Sequence, residues 1–112
     1  MQIKNKIKKG YWPAHRRELV NRAARWAVDH YGLWDLTIAS DRLTIVYTRF
    51  AEAYGDAYQD GEDYVIRLSD RYNDKLTIMT VFHEMTHVKQ YEFDNLDLGT
   101  PATFMGKEYN VD

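Results

Sequence analysis

The sequence predicts an α+β domain, and three observations carry that expectation. A helix-period segment lies near each end of the chain, a block of strand-like runs lies between them, and the apolar period switches from two to about 3.6 near Asn73. The expected order is an N-terminal helix, a small sheet of about four strands, a second helix and an irregular C-terminal tail.

Trp12-Pro13 opens the first periodic segment, with proline in the first turn, where its missing N–H costs nothing. Leu19, Ala23, Trp26 and His30 form one stripe and Val20, Ala24, Ala27 and Tyr31 lie beside it, while Arg16, Arg17, Arg22, Arg25 and Asp29 fall largely off that face. The spacing predicts an amphipathic helix over about 13–31, with Gly32 as its C′ stop. Residues 36–39 and 43–48 are rich in β-branched side chains and flank the turn-forming Ser40-Asp41-Arg42. Residues 53–59 and 63–69 flank Asp60-Gly61, a hairpin signal. In the second of these runs Tyr64, Ile66 and Leu68 alternate with Val65, Arg67 and Ser69. From Asn73, whose side chain suits an N-cap, helical spacing continues through Leu76, Met79, Phe82, Met85 and Val88 to about Tyr91. Beyond it residues 92–97 are acidic, 98–101 read as a turn and 104–112 show no period.

At 112 residues and 13.3 kDa the chain allows one domain, 1–112, with one modest core. Hydrophobic residues at 45% and charged residues at 29% are globular composition and argue against a disordered chain. With no cysteine there is no disulfide framework, no thiolate metal site and no thiol nucleophile. No apolar run approaches the roughly 20 residues of a membrane span, and the basic N-terminus lacks the apolar stretch of a secretory signal. The expected location is therefore cytoplasmic, and no membrane partner is expected. Residues 1–30 hold eight Lys/Arg against Glu18 and Asp29, a net of +6, and the remaining residues hold seven against fifteen, a net of −8. A basic first quarter could lie along nucleic acid or pair with an acidic partner. The lack of interleaved aromatic and basic residues favours a solvated tail and helix face, so nucleic acid is not the expected partner.

The second helix carries His83-Glu84-Met85-Thr86-His87, an H-E-x-x-H sequence. Residues at i and i+4 lie one above the other on a helix, so His83 and His87 can share one metal ion. Zinc suits imidazole and activates water, and Glu84 is placed to take a proton from that water and return it to a leaving amine. With four His and six Glu in the chain, chance produces the pattern in about 0.7% of such sequences, which favours a site over a pair of surface histidines. His15, among arginines in the first turn, reads as solvated. His30, on the apolar stripe, reads as a hydrogen-bonded core histidine. Tyr91 and Tyr109 could polarise a carbonyl, but packing is the expected role among nine tyrosines.

From Tyr54-Gly55-Asp56 through residues 64–69 into Thr80-Val81-Phe82-His83-Glu84-Met85-Thr86-His87-Val88-Lys89-Gln90-Tyr91, the chain resembles small zincin-type metallopeptidases of bacteriophages, which belong with the minimal gluzincins. Gly106-Lys107-Glu108-Tyr109 is similar to a short segment of the same proteins. The resemblance covers about residues 50–112; before that only the order of elements agrees. It implies a zincin-like fold with a mixed twisted sheet, a Zn2+ cofactor and, for a phage protein, the host cytoplasm. It also implies that an edge strand, here from Tyr54 to Gln59, runs above the active-site helix and docks an extended peptide or protein substrate.

That family takes a third ligand, a glutamate, from a helix beyond the Gly-Lys segment, and no such helix precedes Asp112. The in-chain substitutes are Glu92, Asp94, Asp97, Glu108 and Asp112, with Glu108 the best spaced at 21 residues after His87. Two protein ligands alone would bind zinc weakly. Three readings follow: a zinc-dependent metallopeptidase; a truncated or non-catalytic zincin-fold module that binds protein; and a SprT-like, DNA-associated protease. The last resembles the chain in its H-E-x-x-H helix but takes a third histidine downstream, and none follows His87.

Overall fold

The computed structural model describes residues 2–5, 14–33, 42–48, 54–93 and 102–109. In chain order these form β1 (Gln2–Asn5), α1 (Ala14–His30), β2 (Leu43–Thr48), β3 (Gly55–Asp60), β4 (Asp63–Ser69), α2 (Asp74–Phe93), β5 (Ala102–Phe104) and β6 (Lys107–Tyr109). The architecture is α+β, with a Cα radius of gyration of 13.0 Å, close to the roughly 13 Å of a globular domain of this length.

The β-branched run of β2 and the alternating run of β4 pair in parallel, from Leu43 opposite Tyr64 to Thr48 opposite Ser69. On β4 the alternation holds from Tyr64 to Leu68: Tyr64, Ile66 and Leu68 are buried, and Val65 and Arg67 are half-buried on the other face, whereas Ser69 at the strand's end is buried as well. β3 runs antiparallel along β4, giving a three-strand mixed sheet in which β3 is the outer strand. β1 lies parallel to β2 on the opposite side. The β3–β4 turn is Gly61-Glu62, with Gly61 at φ +64°, where a two-residue hairpin loop requires a positive angle.

The helices are joined to the sheet by one core. Val20, Ala23, Ala24 and Ala27 of α1 meet Val81, Phe82, Met85 and Val88 of α2 above Leu43, Ile45, Tyr47, Ile66 and Leu68. The three alanines are fully buried, so at these positions only methyl groups stand between α1 and its neighbours. α1 ends in a Schellman motif: Gly32 adopts φ +71° and the Leu33 N–H donates to the Val28 carbonyl at 2.9 Å, with Leu33 buried. α2 starts at the expected cap, where Asn73 Oδ1 accepts the Leu76 N–H at 2.9 Å. Asp74 in its first turn accepts from Arg16 Nε at 2.7 Å, and Arg16 also donates to the Tyr47 hydroxyl at 2.7 Å. One arginine thus fixes the starts of both helices against β2.

Several expectations are corrected. Three of the four expected strands are present, and the fourth, residues 36–39, lies outside the described residues. The N-terminal residues read as a tail include β1, a four-residue strand that nonlocal pairing with β2 specifies. The irregular tail contains the β5–β6 hairpin, turned at Met105 (φ +51°) and Gly106 (φ +77°). Three-residue strands are too short to show a period, and Met-Gly is not the usual turn pair. His30 is exposed rather than in the core; it stacks on Trp26 at 3.9 Å, with Nδ1 2.8 Å from the Trp26 carbonyl oxygen. Among the described residues no helix is long and apolar enough to cross a membrane.

Candidate metal centre

α2 is buried on most sides, yet its polar residues are satisfied internally. The hydroxyls of Thr77, Thr80 and Thr86 each donate to the carbonyl four residues back, at 2.8 Å. His83, Glu84 and His87 remain, and the helix brings them together as the spacing predicts. His83 Nε2 lies 3.1 Å from His87 Nε2 and 3.8 Å from Glu84 Oε1. One ligand atom from each of the three falls within 4.8 Å of the others. The two imidazole rings stand edge to face, 4.7 Å between centroids and 86° between planes.

The donor set fits a metal on its own chemistry. Two nitrogens each about 2.0–2.1 Å from a tetrahedral zinc stand about 3.3–3.4 Å apart, close to the separation between these two atoms. His87 Nδ1 lies 3.0 Å from Gln90 Oε1. An amide oxygen only accepts, so this contact suits the tautomer with the proton on Nδ1, which leaves the Nε2 lone pair for the His83 side. The His83 side chain is 41% exposed, leaving the site open to solvent on one side.

Glu84 is different in kind, because its side chain is only 7% exposed. Burial pushes its carboxyl up to about 7; the nearby His87 opposes that rise and the Asp56 carboxylate adds to it. A carboxyl near neutrality is suited to both taking and giving a proton.

The outer strand closes against this helix. A Cβ built on Gly55 would lie 2.5 Å from the Arg67 carbonyl oxygen and 2.7 Å from Thr80 Cγ2, so only glycine allows β3 to sit this close to α2. Thr80 is one turn before His83. Asp56, next in β3, is held by Arg67, whose Nε donates to Asp56 Oδ1 at 2.7 Å.

The remaining candidate ligands separate clearly. Glu92 is held by Arg42 at 3.0 Å and by the Tyr64 hydroxyl, which burial and Glu92 push up to about 12. Glu108 lies on β6 opposite Thr103, with its side chain outside the description, as is that of Tyr109. Asp94, Asp97 and Asp112 lie outside the described residues. His15 is exposed, with Nε2 3.0 Å from Asp74 Oδ2, in a cluster separate from the metal group. Tyr91 is half-exposed on the His83–His87 side of α2 and stacks on Tyr64 at 6.4 Å. Three contributors were missed from sequence. Gln90 had a local signal, three residues after a candidate ligand histidine; Asp56 and Gly55 had none, since α2 meets them only through the fold. No protein-family model, no curated protein and no solved structure gives a match to this chain.

Proposed function

We infer that the chain is a zinc-dependent metallopeptidase with a zincin-like arrangement of edge strand and H-E-x-x-H helix, acting in the cytoplasm. The observation that carries this reading is the pair of Nε2 atoms 3.1 Å apart with a buried carboxyl beside them. His83 and His87 would hold the ion through Nε2, and Gln90 keeps His87 in the required tautomer. Zinc supplies Lewis-acid polarisation of water and of a peptide carbonyl when bound. Glu84 takes a proton at its carboxylate from the attacking water and delivers it to the departing amide nitrogen, as the C–N bond breaks and the new C–O bond forms. Burial of Glu84 keeps bulk water from competing for that proton.

A second reading, a zinc-holding module that binds protein without cleaving it, is favoured by one observation. Among the described residues no third protein ligand joins the two histidines apart from Glu84 itself. One experiment separates the two: zinc content of the purified chain, with turnover of casein and of peptide libraries, for the parent and Glu84→Gln. The peptidase reading expects one zinc per chain in both and at least about 10²-fold lower turnover in the variant. Zinc without turnover supports the module, and no zinc in either removes both.

A further inference from the structure

Among the described residues β3 is an unpaired sheet edge with a definite phase. Its two-residue turn makes Asp60 and Asp63 the first hydrogen-bonded pair of the ladder, and the Ser69 N–H donating to the Tyr54 carbonyl at 2.9 Å keeps the same phase at the other end. Gly55, Ala57 and Gln59 therefore turn their N–H and C=O groups away from β4, toward the open edge. Their side-chain positions lie on the helix side, where Ala57 packs on the core and Gly55 meets Thr80. Asp56, Tyr58 and Asp60 lie on the opposite face of the sheet.

That opposite face holds a groove of about 430 Å³, lined among others by Val46, Val65, Tyr58, Asp60, Asp63 and Arg67. Arg67 is committed to Asp56 and lies over the Tyr58 ring, 5.5 Å from its centroid. Asp60 and Asp63 are exposed, and neither has an ion-pair partner among the described residues. The hairpin from Tyr54 to Ser69 carries four carboxylates against Arg67, a net of −3. Two copies of this edge would meet carboxylate to carboxylate, which disfavours β3 pairing with itself.

We propose that β3 captures an extended polypeptide segment bearing lysine or arginine at alternate positions. The segment's backbone bonds to the outward groups of Gly55, Ala57 and Gln59, and its basic side chains turn over the edge into the groove, toward Asp60 and Asp63. This makes basic segments the substrate class of the neighbouring metal centre; that step rests on the hydrolytic reading, whereas the charge preference does not.

The test measures binding, not cleavage. Fluorescent threonine-rich peptides with lysine, or with glutamate, at alternate positions are titrated into the full chain in EDTA at low and high salt. The lysine peptide should bind at least about tenfold more tightly at low salt, with the difference shrinking as salt screens it. The double variant Asp60→Asn, Asp63→Asn, altered only at exposed side chains, should bring the two peptides to within about threefold. Ala57→Pro, which removes an outward N–H and no ladder donor, should weaken both peptides alike. Equal binding of the two peptides, binding of neither, or a preference that survives in the double variant overturns the proposal. Because no metal is present, none of these results depends on hydrolysis, and turnover of uncharged substrates would leave the peptidase reading standing while this one fell.

Discussion

Glu84→Gln should make the metal-free chain more stable at alkaline pH, and the size of the effect follows from burial. The carboxyl is lifted from 4.5 to about 7. At about 1.4 kcal/mol for each pH unit, holding it ionised in the fold costs about 3 kcal/mol. A folded-state pKa above the unfolded one means a contribution fully present below about pH 4.5 and lost as pH rises through about 7. Glutamine has nearly the same shape, stays neutral and escapes that loss. Between about pH 5 and about pH 8 the stability difference between variant and parent should grow by about 2.5 kcal/mol in the variant's favour. For a domain of this size that is about 10 °C in melting temperature. The assay is thermal denaturation of both chains in EDTA at the two pH values. A difference that stays constant within about 2 °C, or that turns toward the parent at the higher pH, would refute the desolvation argument.

Zinc at about a hundred times its dissociation constant should stabilise the parent by about 2.7 kcal/mol. His87→Ala should lose that rise, and Gln90→Ala should weaken zinc binding about 10–100-fold without altering the metal-free melting temperature, both read by thermal shift across a zinc titration. An equal zinc response in all three chains would place the metal elsewhere. Gly55→Ala should cost about 1–3 kcal/mol, because the new methyl meets the Arg67 backbone as well as Thr80; an unchanged denaturant midpoint would contradict the close approach of β3 to α2. The hydrogen bond from Arg16 holds the Asp74 carboxyl below its ordinary value, so its stabilisation is present above about pH 4 and fades as pH falls through the lowered value. Asp74→Asn should flatten the acid side of the stability–pH curve, and an acid limb identical to the parent's would show that the contact contributes nothing.

Local chemistry was legible in the sequence because it is carried by neighbours along the chain. The cap at Asn73, the stop at Gly32, the alternation of β4 and the turn near Gly61 each depend on a few consecutive residues, and each stands where the pattern placed it. The association of His83, Glu84 and His87 is legible for the same reason, since the i and i+4 spacing is itself the geometry. His30 misled because the apolar stripe assigns a face and not a depth: near the end of α1 that face runs out of core and the ring lies on Trp26 in solvent.

What surrounds His83, Glu84 and His87 was decided by tertiary structure. β1 lies on β2 across some forty residues of chain, and β5 and β6 are too short for a period to register. That β3 is the outer strand, that its glycine lets it press against Thr80, and that Asp56 lies near enough to raise Glu84 all follow from packing between segments that share no local pattern. The sequence by itself determined which residues can hold a metal. Only the fold determined that Glu84 is dry enough to titrate near neutrality, and that the outer strand of the described sheet lies beside its helix, because desolvation and strand order belong to the whole assembly of elements and not to any one of them.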